Sequence, residues 1–148
     1  MSGSEEMQLE YARVCVEMAA SVEDVWRVVS AFGGVERWIA GADTCALDGE
    51  GVGAVRTIGL AGRSVRERLD RLDPARHSVT YSILPPHSLP ASDVRGTITL
   101  RDAGAKLTEF TWVSDASHID GDAAALRARV EAFYRASIDK LSRLLADY

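Results

Sequence analysis

The chain has 148 residues, 47% hydrophobic and 26% charged, a composition that fits a single globular domain with one core of ordinary size. Its formal net charge of −5 gives no electrostatic footprint for nucleic acid and would repel anionic lipid headgroups, so neither is expected as a partner. No apolar run reaches the ~20 residues of a spanning helix.

The start, MSGSEEMQ, lacks the basic and apolar regions of a signal peptide, so residues 1–7 are expected to be disordered and the protein cytoplasmic. Cys15 and Cys45 form no C-x-x-C pair and read as small, reduced core residues. The absence of asparagine excludes a glycosylation acceptor. The excess of alanine, arginine and glycine is the bias of a GC-rich bacterial genome, which is an association and not physics.

From Tyr11, YARVCVEMAA is rich in β-branched residues and predicts a first strand. At Ser21 the spacing turns helical. Ser21 is placed to cap the segment, Asp24 to reach back to it, and Val22, Val25, Trp26 and Val29 form an apolar stripe. Gly33-Gly34 is expected to end that helix, and VERWIAG to form a second short one.

GEGVGAVR, from Gly49, has three glycines at alternate positions. A dinucleotide loop needs G-x-G-x-x-G between a strand and a helix, and a Walker loop needs a following Lys-Ser/Thr. Neither condition is met, because the next segment alternates as a strand. The stretch predicts a glycine-rich hairpin connection, not a phosphate site.

From Asp43 to Asp115 the chain reads as a meander of about six strands. Turns are expected at Asp48-Gly49, Gly59–Gly62, Asp73-Pro74, Pro85-Pro86 and Asp102–Gly104. Val65, Glu67 and Leu69 share one face, as do Ala54, Arg56, Ile58 and Leu60, and then Val94, Gly96, Ile98 and Leu100. Period-two patterning with one polar face means half-exposed antiparallel sheet. Arg56 and Glu67 therefore sit among apolar neighbours on the inner side. An isolated buried charge is costly, so they should pair or face a water-filled cavity; a cross-strand surface pair is the equal alternative.

The tail predicts a long helix capped by Asp120 or Asp122. Its inner face carries Leu126, Val130, Phe133, Tyr134, Ser137, Ile138, Leu141 and Leu145. Strand, two short helices, about six strands and a long helix make an α+β domain in which antiparallel sheet wraps a C-terminal helix.

This order, from SVEDVWRVVSAFGGVERWI to the last helix, resembles the START-like (SRPBCC) superfamily, in its polyketide cyclase/dehydratase-like branch. The resemblance implies a helix-grip fold: a curved antiparallel sheet of about seven strands around the C-terminal helix, enclosing a ligand cavity. GVGAVRTI, RERLD and SVTYSI are similar to segments of plant abscisic-acid receptors and lachrymatory factor synthases. In the synthases, the arginine and glutamate matching Arg56 and Glu67 are the catalytic pair. Where the receptors carry a carboxylate-gripping lysine this chain has Ala40, and their gate and latch are replaced by GLAG and PPHSLP, so a hormone receptor is not expected. A glycine-flanked loop opposite a proline-stiffened one is consistent with gated access.

Arg56 would clamp a carbonyl or oxyanion, and Glu67 would move protons as general acid or base. Together they suit enolisation, aldol-type cyclisation or dehydration; equally open is that the pair only orders the cavity wall. Trp38, Phe110 and Trp112 are aromatic lining candidates, and the resemblance adds Tyr81 and Phe133 as ligand contacts. Ile58, Leu69, Ile83, Leu89, Val94, Ile98 and Val130 supply apolar lining, Ser137 a polar exception, and His87 a proton source in the mouth loop. His77 reads as a solvated turn residue and Trp26 as structural.

No metal-ligand spacing links the three histidines, and no G-x-S-x-G elbow occurs. The expectation is a cofactor-independent cyclase or dehydratase acting on a small hydrophobic or aromatic carbonyl compound. The alternative is a carrier, sequestering or sensing protein. An exposed edge strand could support a homodimer.

Overall fold

The computed structural model describes residues 8–147, so the expectation for residues 1–7 lies outside the described part. The chain runs β1 (Leu9–Met18), α1 (Val22–Ser30), a 3-10 turn (Val35–Arg37), β2 (Ala42–Asp48), β3 (Val55–Leu60) and β4 (Arg63–Asp73). It continues with β5 (Ser78–Ile83), β6 (Ala91–Ser92), β7 (Arg95–Gly104), β8 (Leu107–Ala116), β9 (His118–Ile119) and α2 (Ala123–Ala146). Seven strands form one antiparallel sheet in the order β1-β8-β7-β5-β4-β3-β2, and the sheet grips α2 as the resemblance implied. The two-residue strands β6 and β9 form a separate ladder that the patterning did not foretell.

Ser21 caps α1 by accepting from the Asp24 amide at 3.2 Å. Asp24 does not complete the box; its carboxylate accepts from Arg27 at 3.1 Å instead. The buried stripe is Val22, Val25, Val28 and Val29. Trp26 turns outward and packs edge-on against His77, their centroids 5.3 Å apart, so His77 is a packing partner and not a free turn residue. The helix ends before the glycines, at Ala31, because Phe32 itself takes the left-handed conformation (φ 64°).

GEGVG is a connection between β2 and β3, with Gly49, Gly51 and Gly53 at φ of 95°, 64° and 96°, angles that side-chain-bearing residues rarely adopt. Two predicted turns shift by a couple of residues. Gly59 belongs to β3, leaving Ala61-Gly62 as the tip, and Asp102–Gly104 belongs to β7. Asp122 caps α2 through the amides of Ala124 and Ala125.

The inner rows are buried as predicted, including Ala54, Arg56, Ile58, Glu67, Leu69, Val94, Ile98 and Leu100. The cysteines are the exception: Cys15 is exposed on the outer face of β1 and Cys45 half-buried on edge strand β2, so neither is a core residue. At one end of the concave face α1 packs over β7 and β8. The other end stays open beneath α2.

Candidate functional site

Strand register brings the two inner charges together. Arg56 of β3 lies directly opposite Glu67 of β4, and its Nε donates to Glu67 Oε1 at 2.8 Å while Nη2 stands 2.7 Å from the same oxygen. The side chains are only 4% and 10% exposed, which removes the surface-pair alternative. Arg56 Nη1 donates to the Phe32 carbonyl at 3.1 Å, and the guanidinium carbon sits 4.0 Å from the Phe32 ring centroid and 5.0 Å from that of Tyr81. The positive φ of Phe32 thus serves the site: it turns both carbonyl and ring onto the arginine. Glu67 Oε2 has no hydrogen-bond partner among the described residues.

This pair opens into a cavity of about 310 Å³ between sheet and helix. Ile58, Val65 and Ile83 make its sheet wall, Val130 and Phe133 its helix wall, and Ile39 closes it below the 3-10 turn. Leu60, His87, Ser88 and Leu89 border the opening. A shallower groove shares Val65, His87 and Ser88 and leads outward between the β3–β4 hairpin and the loop carrying Pro86. His87 is folded back within that loop, its Nδ1 accepting from the Leu89 amide at 3.3 Å.

A second polar group lies further across the sheet. Trp112 Nε1 donates to the Tyr81 hydroxyl at 3.0 Å, and the Trp112 ring stacks on Tyr134 of α2 at 4.0 Å and 6°. Ser114 Oγ is 2.7 Å from the Tyr11 hydroxyl. Burial pushes the Tyr81 phenol up, the Glu67 carboxylate adds to this, and Arg56 opposes it. Burial also raises Tyr134, with Tyr81 contributing, and Tyr11. These phenols therefore keep their protons and act as donors, not bases.

Of the residues singled out in the sequence, Arg56, Ile58, Glu67, Tyr81, Ile83, His87, Leu89, Trp112, Val130 and Phe133 line the cavity. Six do not. Leu69, Ile98 and Phe110 share the inner face but are sealed in the core, Ile98 and Phe110 on the two strands that α1 covers. Trp38 is buried behind the wall, its ring 5.6 Å from Trp112. Ser137 faces the Ile39–Ala40 segment, accepting from the Ala40 amide at 2.9 Å. Val94 is sealed in the core at 1% exposure and borders a neighbouring groove with Arg68, Ser82 and Arg95.

Conversely, Tyr11, Ile39, Leu60, Val65, Ser88, Ser114, Arg129 and Tyr134 line the cavity without having been picked as ligand positions. Tyr134 carried a signal, since it sat on the predicted inner face of the last helix beside Phe133. Tyr11 carried none, because it lies next to the register shift between Glu10 and Ala12.

Among the described residues no cluster of His, Cys, Asp and Glu could hold a metal ion, and no helix is long and apolar enough to cross a membrane.

A seven-stranded antiparallel sheet around a long C-terminal helix, with a buried ion pair in the wall of the space between them, defines a helix-grip protein. The family model described as polyketide cyclase/dehydrase and lipid transport matches residues 12–146, and the chain belongs to that family. Among solved structures it is similar to a protein of Bacillus thuringiensis, with 19% identity over 91% of this chain and 98% of that one, and a TM-score of 0.81. It is also similar to norcoclaurine synthase of Thalictrum flavum (17% identity, 95% of this chain and 88% of that one, TM-score 0.75). An aromatase/cyclase from a Streptomyces species shows 18% identity over 94% of each chain at a TM-score of 0.72. At these identities the likeness is one of fold.

Proposed function

We propose that this protein binds a small hydrophobic carbonyl compound, polyketide-like in character, and catalyses its cyclisation or dehydration without a cofactor. The observation that carries the reading is the buried Arg56–Glu67 pair with Glu67 Oε2 uncommitted at the wall of an apolar cavity. Membership of the cyclase/dehydrase family supports it. So does the fold shared with an aromatase/cyclase and with a synthase solved with dopamine and hydroxybenzaldehyde, the latter a carbonyl compound.

In this reading Glu67 takes a proton from the carbon next to the ligand carbonyl. The C–H electron pair moves onto the carbonyl oxygen, where the permanent charge of Arg56 stabilises the enolate. The enolate carbon attacks a second carbonyl of the same molecule, forming a C–C bond, and the new alkoxide recovers the proton from Glu67. Loss of water follows when Glu67 removes a second proton and returns it to the departing hydroxyl. Apolar walls exclude bulk water, which strengthens both charges' action on the ligand.

A non-catalytic carrier or sensor is the second reading, and one observation favours it. Glu67 Oε1 is already held by two nitrogens of Arg56, an arrangement that also serves to order a cavity wall. Turnover of β-polycarbonyl test compounds by the wild type, Glu67→Gln and Arg56→Leu separates the two. The catalytic reading expects a loss of at least roughly 100-fold in kcat for Glu67→Gln. Unchanged turnover in both variants overturns it. Absent turnover with ligand-dependent thermal stabilisation assigns the protein to binding.

A further inference from the structure

We infer that the cavity has a second oxygen-binding subsite, formed by the hydroxyls of Tyr134 and Tyr81, and that the natural ligand is a flat molecule with two oxygen functions. This deepens the reading above, on which it rests for the first oxygen, held at Arg56 and Glu67.

Tyr134 is 5% exposed, and the hydroxyls beside its own are those of Ser114 and Tyr81. A hydroxyl both gives and accepts, so hydroxyl-to-hydroxyl contacts leave bonding capacity for a ligand. The group is not sealed off, because Tyr134 lines the cavity. Tyr81 is its neighbour: the Tyr81 oxygen accepts from Trp112 and lies beside the Tyr134 hydroxyl, so the Tyr81 proton is left to give. Both phenols stay protonated and line the cavity, and the pair has a proton to give. They suit an acceptor, a carbonyl or ether oxygen, better than a cation or another donor.

The surroundings fix the rest of the ligand. Trp112 is stacked on Tyr134 and hydrogen-bonded to Tyr81, which immobilises both rings before any ligand arrives. Glu67 lies on β4 and Tyr81 on the adjacent β5, with Tyr134 reaching in from α2, so the two oxygen sites sit side by side across the sheet. An apolar cavity of roughly 150 Å³ admits benzene. The 310 Å³ here fits a fused two-ring body.

The probes are 2-acetylnaphthalene and 2,6-diacetylnaphthalene, titrated into the protein with quenching of tryptophan fluorescence as readout. The diketone is expected to bind roughly three- to tenfold more tightly than the monoketone, the worth of one additional hydrogen bond. Tyr134→Phe, which keeps the ring stack, should abolish that preference. Tyr81→Phe should reduce it. A diketone preference that survives in Tyr134→Phe overturns the subsite, and so does its absence in the wild type. Glu67→Gln separates the two ideas: it should retain the diketone preference, whatever happens to turnover. Loss of the preference in Tyr134→Phe from a protein that turns nothing over keeps the subsite and removes the catalytic reading.

Discussion

A Cβ on Gly96 would stand 2.3 Å from the hydroxyl and the ζ carbon of Tyr81. The two residues are cross-strand partners of β7 and β5, and Ser114 of β8 pairs with Gly96 on the other side. The bare backbone of Gly96 is therefore what lets the Tyr81 ring lie across β7 and reach Trp112. Gly96→Ala should displace that ring and lower stability by roughly 1–3 kcal/mol, the cost of overpacking a full core. Alanine at 96 should cost far less when Tyr81 is also reduced to alanine. Urea denaturation of the four proteins of this cycle checks the coupling, and additivity would mean the ring is not the obstacle.

The Arg56–Glu67 pair has a different energetic character. Two charges out of water are not strongly stabilising as a pair, but one without the other is costly. Glu67→Ala leaves a buried guanidinium with only the Phe32 carbonyl and two aromatic faces for company. It should lose roughly 3–5 kcal/mol, whereas Arg56→Met with Glu67→Leu should recover most of that loss. Denaturant midpoints measure both. A double variant as unstable as the single one would mean that the site needs the charges for its fold.

The sheet was legible because alternation alone sorts a strand's residues between two faces, and Arg56 and Glu67 stood out as charges in apolar rows. The long helix was legible for the same reason at its own period. What periodicity could not supply was depth along a face. Ile98 and Trp112 are cross-strand partners, yet only Trp112 reaches the cavity, because its larger ring extends to Tyr134 and Tyr81. Ser137 shows the same limit on the helix. It shares the inner face with Val130 and Phe133 but lies beyond the cavity, against the segment that follows the 3-10 turn. Phe32 was hidden by its neighbours, because a glycine pair beside it offered the cheaper left-handed residue and the chain used Phe32 as well as Gly34.

That placement gives Ser137 a structural duty. Its hydroxyl receives the Ala40 amide, and Lys140, one turn along, donates to the carbonyls of Glu36 and Ile39 at 3.2 and 3.4 Å. The helix thus holds the segment that ends with cavity residue Ile39. Ser137→Ala leaves the Ala40 N–H unpaired and should cost roughly 1–3 kcal/mol. Affinity for a monoketone probe should hold within about twofold, since Ser137 does not touch the cavity. Calorimetric melting together with probe titration tests this, and a large loss of affinity at unchanged stability would return Ser137 to the ligand site.

The buried phenols predict how the fold responds to alkali. Burial raises Tyr11, Tyr81 and Tyr134 above the ordinary tyrosine value, so each stays protonated in the native state after its unfolded counterpart has ionised. Above about pH 10 the unfolded chain therefore binds fewer protons than the native one, and stability falls as pH rises. The contribution is fully present below that unfolded value and is lost through the native ones. Near-ultraviolet titration of tyrosinate should show these three groups ionising late and together with unfolding. Tyr134→Phe removes one of them and should flatten the alkaline loss of stability. An equally steep loss in that variant would mean the Tyr134 hydroxyl already meets water in the native cavity.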